Sequence, residues 1–202
     1  MPFDDARFVL HIGGRAGGRF VGPDTAAPTS FGGGLSFGLG VRLWQGLYLE
    51  ASVGEGVFQN PEPLESFRHL GTHEDTPVSL VEGPEPSPLL VGQILLGARY
   101  EVRTARTSRV RPSVFLGATH LHEATLADFA REPGKTLAGT GKFIRHRTGV
   151  QAGFGLRVPF PARWGRAAPR FSGRFDADVA YYLDRQPGRV QAGLGAGVQV
   201  VF

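Results

Sequence analysis

The sequence predicts an all-β fold: an eight-stranded antiparallel up-and-down transmembrane β-barrel, a single domain over 1–202. Three observations predict it. Eight segments place apolar side chains at every second position, the period at which a strand shows opposite faces. The connections between them alternate short and long, so all long loops fall at one end and both termini at the other, the plan of a membrane barrel. Bulk also segregates: Phe, Leu, Ile and Val crowd one face, whereas the other is rich in Gly and carries the Arg residues, as a narrow polar lumen requires.

The first strand, 7–20, sets Phe8, Leu10, Ile12, Ala16 and Phe20 against Val9, His11, Arg15 and Arg19. A Pro/Thr/Ser-rich loop spans 22–30. The second strand, 31–43, turns Phe31, Leu35, Phe37, Leu39 and Leu43 outward and Arg42 inward. Trp44-Gln45-Gly46 is a tight turn whose Gly supplies φ > 0. The third strand carries Leu47, Leu49, Ala51 and Val53 outward and Tyr48, Glu50 and Ser52 inward. Its register is expected to blur at Glu55-Gly56, by a bulge or by leaving the bilayer.

A long Pro-rich and acidic loop follows, 59–88, with Glu62, Glu65, Glu74, Asp75, Glu82 and Glu85; Val78, Leu80 and Val81 extend the next strand beyond the membrane. The fourth strand, 90–102, has Leu90, Ile94, Leu96 and Tyr100 outward against Gln93, Arg99 and Glu101. After a turn at 103–108, the fifth strand, 110–120, puts Val114 and Leu116 outward and Arg111 inward, with Pro112 near its end because it cannot donate to a ladder. The second long loop, 121–142, holds a short helix around Thr125 to Arg131. The sixth strand, 144–160, sets Ile144, His146, Val150, Phe154 and Phe160 against Arg145, Arg147 and Arg157. The seventh, 170–183, sets Phe171, Phe175, Tyr181 and Leu183 against Arg174, Asp176 and Asp178. The eighth, 188–202, turns Val190, Leu194, Val198, Val200 and Phe202 outward and mostly Gly and Gln inward.

Composition agrees. With 202 residues, 41% of them hydrophobic, and a mean hydropathy of −0.10, the chain has no apolar run near the ~20 residues of a membrane helix. A barrel needs none, because its strands alternate. Cys is absent, which excludes a disulfide framework and thiol chemistry. The net charge of +4 and pI near 9.9 do not point to nucleic acid, because the Arg residues are spread over many strands instead of clustering on one element. Met1 to Asp5 lack the basic start and apolar core of a signal peptide, so the sequence is read as a mature form with an added Met. Periodicity also admits an inverted, soluble lipocalin-like barrel carrying an apolar ligand. The absence of charge from the centres of the apolar faces favours lipid, where a midplane Arg costs about 2–4 kcal/mol.

On this architecture the chain resembles the small OmpA/OmpX-like class of outer-membrane barrels over nearly its whole length, without a diagnostic motif. The alternation Leu194, Ala196, Val198, Val200 and Phe202 is similar to the C-terminal assembly signal of such proteins. The resemblance implies residence in the outer membrane of a Gram-negative cell envelope, contact with membrane lipid and lipopolysaccharide, and delivery by the barrel-assembly machinery. It further implies a monomer without cofactors, porin-like in fold; because the sequence stops on the eighth strand, the periplasmic peptidoglycan-binding domain of full OmpA-type proteins is expected to be missing.

Two groups of residues carry candidate chemistry. Inward Glu50, Glu101, Asp176 and Asp178 lie among inward Arg15, Arg42, Arg99, Arg111, Arg157 and Arg174, and are read as an ion-pair network that fills the lumen; the alternative is a narrow gated path preferring anions. His120, His122 and Glu123 close the fifth strand and His146 opens the sixth, which brings His120 and His146 together at the outer rim. Their ligand chemistry suits Zn, but rim histidines at headgroup level, with no metal, are the preferred reading. A lipid A-modifying hydrolase or acyltransferase using these residues is the enzymatic alternative. It is disfavoured because no His is followed two places later by the Ser nucleophile of outer-membrane deacylases, so a non-enzyme is expected.

Overall fold

The computed structural model describes residues 7–20, 30–59, 88–102, 110–131, 133–134, 144–160, 170–184 and 189–202. The acidic stretch 60–87, including Val78, Leu80 and Val81, and the loops at 21–29, 103–109, 135–143 and 161–169 lie outside the described residues.

Eight strands close on themselves in sequence order: β1 (Phe8–Phe20), β2 (Ser30–Trp44), β3 (Leu47–Phe58), β4 (Leu89–Glu101), β5 (Arg111–Thr125), β6 (Arg145–Pro159), β7 (Arg170–Tyr182) and β8 (Val190–Val201). Every neighbouring pair is antiparallel, including β1 with β8. A six-residue helix, α1 (Leu126–Arg131), follows β5. Phe8 lies beside Val41, and the partners continue through Leu49, Ala98, Leu116, Ala152, Val179 and Ala192 back to β1 at Gly18. The circuit therefore returns ten residues up the starting strand, a stagger that goes with strands tilted about 35–45° to the barrel axis.

The alternation read from the sequence fixes which face is which. Phe37 is 51% exposed, Leu96 54%, Phe154 50% and Leu194 68%, whereas Arg99, Arg157 and Arg174 are buried. Outward apolar side chains cover all eight strands, far beyond the few hundred Å² of contiguous apolar surface that a soluble monomer shows. The outer face is thus made for lipid and the inside for charge, which discards the inverted soluble barrel.

Three features differ from the sequence reading. β3 does not blur at Glu55-Gly56 but stays in register with both neighbours as far as Phe58, because the outward Val57 and inward Phe58 keep the alternation going. The irregularity lies instead between Arg42 and Trp44, where β2 turns into Gly46, whose φ is 77°. β5 runs five residues past His120, to Thr125, so the second long loop starts later than expected. The expected short helix is present as α1.

The lumen is not uniformly polar. Val9, Tyr48 and Val201 pack together at the short-turn end, and Phe58, Leu89, Val91, Leu121, Ala180 and Tyr182 pack together at the long-loop end. Parity assigns Val9, Tyr48, Val91, Ala180 and Tyr182 to the inward face, but which of them meet depends on the closed ring.

Candidate functional site

Between the two apolar clusters the lumen is crossed by arginines. Arg174 on β7 donates to both oxygens of Glu50 on β3, at 3.2 and 3.1 Å. β3 and β7 are four strands apart in a ring of eight, so this pair joins diametrically opposite walls. Arg174 also donates from Nε to Asp176 Oδ2 at 2.6 Å and lies 3.0 Å from His11 Nδ1. Arg99 on β4 donates to Glu50 Oε2, Asp176 Oδ1 and Ser113 Oγ, each at 2.9 Å, and its guanidinium lies 5.4 Å from the centre of the Phe115 ring. That inward ring fits because the wall beneath it is bare. Gly97 and Gly117 face each other across β4 and β5, and a Cβ on either would sit 2.8 Å from an atom of the Phe115 ring.

Further along the lumen Arg15 pairs with Asp178 and with Gln93. Gln93 in turn donates to Thr119 at 2.8 Å and Gln151 at 2.9 Å. A cavity of ≈ 110 Å³ lies here, bounded by His11, Arg15, Gln93, Gln151, Arg174 and Asp178 among others. At roughly 10–15 Å³ per water, it has room for several waters. Arg157 pairs with Glu101 near the short turns. Arg42 and Arg111 stand half-exposed at that end, Arg42 opposite Tyr48 and Arg111 beside Arg157.

A second charge centre, which the sequence reading does not assemble, lies at the long-loop end. Glu123, fully buried, is paired with Arg145 at 2.7 Å and forms an ion pair with Arg19 on β1, four strands away. Arg147, 1% exposed, donates to both oxygens of Asp184 at 2.7 and 3.0 Å and lies 4.7 Å from the Tyr182 ring centre. Extending the alternation of β5 by three residues assigns Glu123 to the inward face; ending the strand at His120 hides that signal.

The same parity separates Glu123 from the histidines. His120, His122 and His146 face outward, and the carboxylate faces inward. The sequence reading places all four at one rim, and the structure divides them between two sides of the wall, so Glu123 does not complete a catalytic group with any of them. His120 and His146 do come together, with His146 Nδ1 3.4 Å from His120 Nε2, although as strand partners His122 lies opposite His146 and His120 opposite Thr148. All three imidazoles nevertheless meet, with ring centres 4.7–5.6 Å apart.

Leu194, Ala196, Val198, Val200 and Phe202 share the outward side of β8, with Leu194, Val198 and Phe202 strongly exposed.

No family model matches the chain, and no curated protein matches it in sequence. Among solved structures it resembles Neisserial surface protein A, with 14% identity over 96% of this chain and 97% of that one and a TM-score of 0.53. It also resembles Ail, the attachment invasion locus protein of Yersinia pestis solved with the heparin analogue sucrose octasulfate, with 11% identity over 98% and 99% of the two chains and a TM-score of 0.51. At these identities the likeness is one of fold. With the lipid-facing exterior and the charged interior, it gives this chain the fold of the small eight-stranded outer-membrane β-barrels.

Proposed function

We propose that the chain is an integral protein of a bacterial outer membrane whose lumen is filled by side chains, and that it serves the envelope structurally or by presenting its long loops for binding or adhesion, without enzymatic activity. The observation that carries the closed lumen is the Arg174–Glu50 pair. Two side chains from opposite walls meet at 3.1–3.2 Å, so no wide path passes between them. The Arg19–Glu123 pair repeats the arrangement near the other end, and apolar clusters lie at both mouths. Eight strands leave an interior that side chains can fill.

A non-enzymatic role is favoured because no described nucleophile stands beside a base and an orienting acid on one face of the wall. The site then lies in what the loops touch, with membrane lipid and lipopolysaccharide around the barrel and the assembly machinery as a partner during biogenesis.

Planar-bilayer recording tests the closed lumen. The refolded full chain is expected to give no large steady channels. Stable, uniform conductance steps would replace this reading with that of a pore.

A further inference from the structure

The outer surface holds an exception to its own chemistry. Among the described outward-facing strand positions, apart from Tyr100 and Tyr181, the ionisable side chains are Glu55, His120, His122 and His146. They are not scattered. Glu55, Gly92, His122 and His146 are successive partners across β3, β4, β5 and β6, forming one lateral row. His120 lies two residues from His122, one place below that row on the same face.

We propose that His120, His122 and His146 form a binding site for a divalent transition metal of the Zn²⁺ class on the outer wall of the barrel, at its long-loop end. The His120 Nε2 to His146 Nδ1 distance is 3.4 Å. Two nitrogens bound at 2.0–2.1 Å to one tetrahedral ion lie about 3.3 Å apart, so the pair already has the bite of a chelate. One nitrogen from each of the three rings lies within 4.8 Å of the others. For the third ligand, the His122 ring would turn toward the other two, whose centres lie 4.8 and 4.7 Å from its own.

The ring of His120 is also held. Its Nδ1 is 2.8 Å from Thr148 Oγ1, which occupies one nitrogen and leaves Nε2 to face His146, the division of labour common in metal-bound imidazoles. Three neutral imidazoles suit Zn²⁺, Ni²⁺ or Cu²⁺ better than Mg²⁺ or Ca²⁺. They leave one tetrahedral position for water or an anionic group from outside.

On the far side of His122 the absence of a side chain at Gly92 leaves a hollow of ≈ 20 Å³ lined by Glu55 and His122. That is room for about one water, through which the carboxylate can reach the site. The Glu55 carboxylate also supplies negative charge to a cationic centre in a wall otherwise without acids.

The test uses untagged full chain refolded in micelles, titrated with Zn²⁺ against a chromophoric chelator at pH 7.5. One Zn²⁺ per barrel is expected. His122→Gln and His146→Gln should each weaken binding at least tenfold, and Thr148→Val about tenfold, as for other orienting partners of metal-bound histidines. Lowering the pH should weaken binding, because protons and the metal ion compete for the same ring nitrogens. The unheated gel mobility of each variant verifies that the barrel has formed. Equal binding by the triple variant His120→Gln/His122→Gln/His146→Gln, or no saturable binding by the folded wild type, would overturn the proposal.

Discussion

Glu50 illustrates what a single side chain does in this lumen. It accepts from Arg99 and twice from Arg174, and both guanidiniums are buried. Truncating the acid leaves two desolvated cations with one carboxylate, Asp176, between them. Breaking a buried pair in this way costs about 3–5 kcal/mol, whereas replacing both partners by apolar residues of similar size is often neutral. Glu50→Ala is therefore expected to lower the unfolding free energy of the micelle-refolded protein, read from urea titration, by about 3–5 kcal/mol, and Glu50→Leu/Arg174→Met to recover part of it. A double variant no more stable than Glu50→Ala would show that unpaired charge is not the source of the loss.

At the scale of a strand, depth in the bilayer decides the energy. Phe154 is near the middle of β6 and Phe20 at the end of β1, both facing out. Arg on the lipid face costs about 2–4 kcal/mol at the midplane and about 0–1 near the interface. Phe154→Arg should thus destabilise the barrel in lipid vesicles far more than Phe20→Arg, as read from urea refolding curves. Equal costs would mean that the outer face does not meet hydrocarbon. The outward histidines fit the same gradient. They occupy the long-loop end of β5 and β6, where polar groups are tolerated, while Val114, Leu116, Ala152 and Phe154 hold the interior positions of the same strands.

For the whole molecule, closure depends on β8 pairing with both β1 and β7. At the seam, Arg7 N donates to Phe202 O at 2.9 Å and Phe202 N donates to Phe8 O at 3.0 Å. These are backbone bonds, which Phe202→Ala retains, while the exposed ring is lost. If the outward stripe Leu194, Ala196, Val198, Val200 and Phe202 is an assembly signal, the variant should refold in micelles to the wild-type extent while the amount assembled in cells falls severalfold. A parallel fall in both measurements would make Phe202 a stability residue and nothing more.

Alternation determines the strand count and divides each strand into its two faces, and the bulk and lack of charge at the centre of the apolar face indicate which of them meets lipid, without knowledge of partners. It also indicates where strands begin, to within a residue or two. Tertiary structure decides what depends on stagger and reach. Which arginine meets which acid across the lumen follows from a ten-residue offset around the ring and from which side chains span its diameter. The joining of Arg174 to Glu50 and of Arg19 to Glu123 is therefore absent from any local pattern. The same holds for the histidines: their residue types are plain in the sequence, but only the β5–β6 register sets His122 opposite His146, whereas the inward side of Glu123 follows from the length of β5.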